Sequence, residues 1–169
     1  MSKVKIGLNY KTILVTGSPG FIGANLVLRL LKEMTGGTVI SLDNMNDYYD
    51  PALKEYRLGL IEEAAKTSPV KHIFIKGSIA DKGLIDQVFA EYKPAVVVNL
   101  AAQAGVRYSI DHPDVYIESN LIGFYNILEA LAIFGRNLCK CTARSGCQRR
   151  KDYCADKGIS ESGRCAIAV

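Results

Sequence analysis

No run of eighteen or more apolar residues occurs in this 169-residue chain, so run length predicts no membrane-spanning helix. The opening, Met1-Ser2-Lys3-Val4-Lys5, leads into a short strand-like segment and not into the apolar region of a secretory signal. A cytoplasmic protein without a membrane partner is the expectation. Cysteine is absent before position 139, and the whole chain has two histidines, His72 and His112. Zinc therefore has little to bind: Cys139 and Cys141 are followed by Cys147, Cys154 and Cys165 at irregular gaps, without paired Cys-x-x-Cys units. No metal is expected, and no disulfide either in a reducing cytosol.

Excess positive charge is missing from most of the chain. Through Phe134 there are 13 basic and 14 acidic residues, and after it 8 and 3. All five cysteines lie in that same basic stretch. The chain thus reads as two segments, an ordered 1–134 and a divergent Cys/Arg-rich tail, 135–169, expected to be irregular and poorly ordered. The tail lacks interleaved aromatics or a recognisable binding motif, which argues against a nucleic-acid partner. The length suits one globular domain with a core, not two.

Within 1–134 the punctuation is regular. Thr12 to Thr16 is a β-branched apolar run, followed by glycines and then by apolar residues at helical spacing, Phe21, Leu26, Leu30 and Leu31. Thr35-Gly36-Gly37 ends that helix, and a second strand, Thr38 to Leu42, stops at Asp43. Pro51 suits the first turn of a helix to about Lys66; Ser68-Pro69 breaks it before a third strand, Lys71 to Lys76. Asp81 can cap a helix through about Tyr92, and Ala95 to Leu100 is apolar on both faces, as a covered parallel strand is. A last helix is predicted from Pro113 to about Phe134. No internal repeat is visible beyond this alternation. Four strand–helix alternations with right-handed crossovers predict an α/β fold: a three-layer, Rossmann-like, doubly wound parallel sheet, truncated after about four strands.

The turn between the first strand and helix is Gly17-Ser18-Pro19-Gly20-Phe21-Ile22-Gly23. Gly17 permits a tight turn, Gly20 lets backbone approach a pyrophosphate, and Gly23 lets the helix pack closely on the strand, while free N–H groups at the helix start attract the anion. Twenty residues after Gly23, Asp43 stands where a carboxylate can accept from the adenosine ribose hydroxyls. It would repel a 2′-phosphate, and no Arg or Lys follows among Asn44, Met45 and Asn46, so NAD is favoured over NADP.

The glycine turn, Leu42-Asp43-Asn44-Met45-Asn46-Asp47-Tyr48-Tyr49-Asp50 and Leu100-Ala101-Ala102-Gln103-Ala104-Gly105-Val106-Arg107-Tyr108-Ser109 together resemble UDP-glucuronate 4-epimerases. These belong to the NAD-dependent epimerase/dehydratase family of extended short-chain dehydrogenases. The resemblance covers about the first four-fifths of the chain. It implies that Phe21 and Ile22 cover the pyrophosphate, that Asp43 and Asn44 hold the adenosine ribose, and that Leu100, Ala101, Ala102 and Gln103 run beneath the nicotinamide. Asn120 matches a further cofactor-contacting position. Arg107 falls where the loop faces the sugar nucleotide; it is a candidate substrate contact, with a solvated surface arginine as the alternative. Ser78, followed by Ile79, stands where the family has an Asp beside the adenine, which implies weaker cofactor binding. The family further implies a UDP-sugar substrate and a homodimer.

Such enzymes use a fifth strand ending in serines and a later Tyr-x-x-x-Lys, in which the lysine lowers the tyrosine pKa. After Phe134 this chain reads Gly135-Arg136-Asn137-Leu138-Cys139-Lys140-Cys141-Thr142 instead. Tyr153 and Lys157 fit the spacing, but no strand precedes them and the distance from the last helix is short. They are weak catalytic candidates, and the chain is expected to be an inactive, truncated representative with its fourth strand left as an open, self-associating edge. A non-catalytic dinucleotide-binding module and a fragment of a nucleotide-sugar 4,6-dehydratase are the competing readings.

Overall fold

The computed structural model describes residues 7–48 and 50–134, together with the backbone strands at 138–142 and 164–168. Strands β1 (Thr12–Thr16), β2 (Thr38–Asp43), β3 (Lys71–Lys76) and β4 (Val96–Asn99) alternate with helices α1 (Phe21–Glu33), α2 (Pro51–Thr67) and α3 (Lys82–Tyr92). These are the elements the sequence pattern predicts. Proline at the first position and Asp50 accepting from the Ala52 N–H at 2.9 Å start α2, and Asp81 accepts from the Leu84 N–H at 3.0 Å to cap α3.

All pairings are parallel, and β1 lies between β2 and β4, with β3 outside β2. Successive side chains of β1 serve opposite faces: Ile13 and Val15 pack with α1 and α2 residues such as Val27, Leu31 and Ile61, while Leu14 packs with Ile85 and Phe89 of α3 and with Ile127. Both faces of β1 are therefore covered by helices, which is the three-layer arrangement expected. Each fully buried Val, Leu or Ile contributes about 1.5–3 kcal/mol relative to exposure. Lys82 ties the second helical layer together, pairing with Asp86 at 2.8 Å and with Glu129 at 2.9 Å.

The last helical run differs from the single regular helix expected. A short α4 (Tyr108–Asp111) precedes α5 (Pro113–Tyr116), a π-helical stretch at Ile117–Gly123, and α6 (Phe124–Phe134). Residues Pro113–Phe134 are long and apolar enough to cross a membrane by length and composition alone, with mean hydropathy 1.2. Asn126, Ile127, Ala130 and Leu131 of this run are buried, whereas Ile117, Leu121, Ile122, Tyr125 and Ile133 are exposed.

Beyond the four expected strands, β5 (Leu138–Thr142) and β6 (Arg164–Ala168) continue the sheet, in the order β3-β2-β1-β4-β6-β5. The open edge expected on β4 is thereby corrected, because Val96–Asn99 pairs in parallel register with Cys165–Ala168. The backbone groups of β4 are engaged on both sides, which removes the edge on which self-association was expected. Tyr153 and Lys157 lie outside the described residues.

Candidate cofactor-binding site

The C-terminal ends of β1, β2 and β4 converge where the connections leave β1 in opposite directions, the crevice in which doubly wound sheets bind ligands. The glycine turn lies at its centre. Gly17 has φ +68°, and a Cβ there would stand 2.8 Å from Ala101 N and Leu100 C, so the turn lies directly on the chain leaving β4. Its N–H donates to Leu42 O at 2.8 Å. At Gly23 a Cβ would be 2.2 Å from Gly17 O, which fixes how closely α1 can pack on the turn. Gly20 precedes α1 and supplies no capping side chain, and no acidic residue occupies the first turn. The first helical N–H donors are thus available to an anion. Phe21 and Ile22 are 73% and 63% exposed at this mouth, with the Arg57 guanidinium 6.0 Å from the Phe21 ring centroid.

Asp43 ends β2 and is buried. Its Oδ1 accepts from Met45 N at 2.7 Å and from Lys54 Nζ at 3.2 Å. Lys54 also donates to Asn46 Oδ1 at 2.7 Å, and Asn44 Oδ1 accepts from Asn46 N at 3.1 Å. Beside it, Gly77 N donates to Asp43 O at 2.9 Å, bringing Ser78 and Ile79 to the same rim. The Ser78 hydroxyl accepts from Ala80 N at 3.1 Å, and buried Ile79 offers its carbonyl to Asn126 Nδ2 at 3.1 Å.

On the other side, Leu100 and Ala101 donate their N–H groups to Thr16 Oγ1, each at 3.2 Å, and the Thr16 hydroxyl donates to Asn99 Oδ1 at 2.5 Å. Ala102 is exposed and Gln103 buried. Asn120, from the π-helical stretch, accepts from Gln103 N at 2.8 Å and donates to Gln103 O at 3.0 Å. These two bonds fix Gln103 and leave the amide one N–H and one lone pair. The buried Ser18 Oγ and Gln103 Nε2 find no hydrogen-bond partner among the described residues. Gly17, Gly20, Phe21, Ile22, Gly23, Asp43, Asn44, Ser78, Ile79, Leu100, Ala101, Ala102 and Gln103 thus lie at or just after the C-terminal ends of β1, β2, β3 and β4, with Asn120 hydrogen-bonded to Gln103. Arg107 stands apart at the start of α4, exposed and without an ion pair among the described residues.

Several contributors escape a motif reading. Thr16, Asn99, Lys54 and Asn126 hold the loops that carry the predicted residues. Tyr48 and Tyr108 meet edge to face, with centroids 4.9 Å apart, and so join the loops after β2 and β4. His112 stacks on Tyr108; His72, on β3, is half-buried with Nε2 2.9 Å from Ser41 Oγ. Burial lowers the His72 pKa from its ordinary 6.5, opposed by the weaker attraction of Glu62.

The geometry is that of a dinucleotide-binding α/β domain, and comparison with known proteins gives the family. The family model described as GDP-mannose 4,6 dehydratase matches residues 14–145, a span that takes in β5. The chain belongs to this family, within the NAD-dependent epimerases and dehydratases that act on nucleotide sugars. CapI of Staphylococcus aureus is 49% identical over 117 residues, which make up 69% of this chain and 33% of that protein. UDP-glucuronate 4-epimerase 4 of Arabidopsis thaliana is 44% identical over 119 residues, 70% of this chain and 25% of that protein. The chain therefore spans a quarter to a third of the length of these relatives. The solved structure of the Thermus thermophilus UDP-glucose 4-epimerase in complex with NAD superposes with a TM-score of 0.57 at 30% identity, covering 78% of this chain and 37% of that one.

Proposed function

We propose that this chain is the NAD-binding part of a UDP-glucuronate 4-epimerase-like enzyme that inverts the sugar at C4 by transient oxidation. The observation that carries the reading is the uncapped start of α1 beside Asp43, whose Oδ2 has no hydrogen-bond partner among the described residues. The helix start suits a pyrophosphate and the carboxylate suits a ribose diol. The orphaned Gln103 amide supports the same reading, since a buried donor without a partner in the protein suits a polar ligand group. Bound NAD would accept the hydride from the sugar carbon and return it to the opposite face. Gly17, Gly20, Phe21, Ile22 and Gly23 would seat the pyrophosphate, Asp43 and Asn44 the ribose, Ser78 and Ile79 the adenine, and Leu100 to Gln103 the nicotinamide end. Asn120 would hold the Leu100–Gln103 segment in place beside the cofactor and contact it, and Arg107 would face the UDP-sugar. A homodimer and a cytoplasmic setting complete the proposal.

Tyr-x-x-x-Lys occurs in the chain as Tyr153 and Lys157, outside the described residues and closer to α6 than the family's spacing, and we expect NAD binding without turnover. Titration with NAD, read by calorimetry, alongside a UDP-glucuronate epimerisation assay tests this. Binding without product supports the proposal; turnover would assign the proton chemistry to the chain after Phe134, with Tyr153 and Lys157 the first candidates. No binding would overturn the reading. A part of a nucleotide-sugar 4,6-dehydratase is the second reading, favoured by the description of the matching family model.

A further inference from the structure

Lys54 is the anomaly of α2. That helix is largely solvated, and its buried residues are Ile61 and Lys54, whose side chain is only 10% exposed. A buried ammonium is unfavourable unless it is paired and hydrogen-bonded, and the partners here are two side chains of the ribose loop. Lys54 Nζ donates to Asp43 Oδ1 and to Asn46 Oδ1. The loop bends around this point: Met45 has φ +55°, a conformation disfavoured for a residue with a side chain, and its N–H closes onto the same Asp43 Oδ1. One carboxylate oxygen is thus saturated by protein donors, and the other is left for a ligand.

We propose that Lys54 and Asp43 form one selectivity unit for the adenosine ribose, with Lys54 as the positioning residue that fixes which oxygen of Asp43 faces the ligand. With the pair intact, the carboxylate accepts from a ribose diol and repels a 2′-phosphate. Without the carboxylate, the same ammonium becomes a counter-ion for that phosphate. Selection against NADP therefore rests on Asp43 occupying Lys54, as well as on the carboxylate's own charge. The inference rests on the NAD reading above.

The test is a cycle of Asp43→Asn, Lys54→Met and the double variant, each titrated with NAD and with NADP by calorimetry at fixed salt. Wild type should prefer NAD by at least about tenfold, a difference of about 1.4 kcal/mol. Lys54→Met should weaken NAD about tenfold, because Asp43 is no longer held. Asp43→Asn should swing the preference at least about tenfold toward NADP. The double variant should lose that gain in NADP affinity while binding NAD as Asp43→Asn does. Should Lys54→Met fail to fold for want of a partner to the buried carboxylate, Asp43→Asn and the double variant carry the comparison, since the latter removes both charges together. A lysine that merely ties loop to helix would leave NADP affinity equal in those two variants, and that equality would overturn the proposal. Wild type binding neither dinucleotide would overturn the NAD reading and this proposal with it. Wild type binding NAD with no change across the cycle would overturn this proposal alone.

Discussion

Replacing Gly23 by alanine tests how the phosphate turn is built. The added Cβ would lie 2.2 Å from Gly17 O and 2.8 Å from Ser18 Cα and O, all of them backbone atoms. Bringing the closest contact to 3.0 Å requires a relative movement of at least about 0.8 Å between α1 and its own turn. Forced overpacking of this kind costs about 1–3 kcal/mol, and alanine's better helix propensity returns up to about 1 kcal/mol. The expected net loss is about 1–2 kcal/mol, or roughly 3–8 °C in Tm for a domain of this size. Binding should suffer more than stability, because the movement displaces the helix-start N–H groups from the turn; NAD affinity is expected to fall at least about tenfold. Gly59→Ala is the internal control. It lies in the interior of α2, exposed, with nothing within 4 Å of an added Cβ, so the same substitution should stabilise by about 0.5–1 kcal/mol and leave NAD affinity alone. Thermal unfolding followed by circular dichroism, with NAD calorimetry, reads both. A Gly23→Ala protein that melts at or above the wild-type temperature and binds NAD equally well would refute the packing described.

Two further substitutions probe what holds the crevice. Asn120→Ala removes both hydrogen bonds to the Gln103 backbone and should cost about 1–3 kcal/mol, read as a drop in Tm together with weaker NAD binding; an unchanged NAD affinity would show that Gln103 does not need the clamp. Burial depresses the His72 pKa below 6.5 in the folded protein, so the unfolded chain takes up its proton first. The contribution of His72 is present above about pH 6.5 and is lost as pH falls through the folded-state value. Between pH 7 and pH 5 the wild type should therefore lose stability more steeply than His72→Gln; parallel slopes in denaturant titrations would contradict this.

What could be read from the sequence is what short-range chemistry determines. Strand β1, the glycines after it and Asp43 were legible because β-branched runs, turn residues and a strand end are each written within a few neighbouring positions. The bounds of α2 and α3 were legible through Pro51 and Asp81 for the same reason. Lys54 was not. On a helix whose sequence reads as a solvated face, nothing local marks one lysine as buried, and its partners are set by how the loop after β2 folds back. Asn120 illustrates the same limit: the resemblance implies a cofactor contact, and the geometry adds what no local pattern marks, a pair of hydrogen bonds to the backbone of Gln103, 17 residues away. Thr16 and Asn99, 83 residues apart, meet only because β1 and β4 are in register. Pairing of Arg164–Ala168 with β4 was equally hidden, since that stretch, Arg-Cys-Ala-Ile-Ala, has one β-branched residue where the five of β1 include four. Groups that would touch a ligand thus sit on local motifs, whereas the groups that aim them are fixed by strand register and loop closure. A motif search consequently recovers Asp43 and overlooks Lys54, even though the direction in which Asp43 points depends on Lys54.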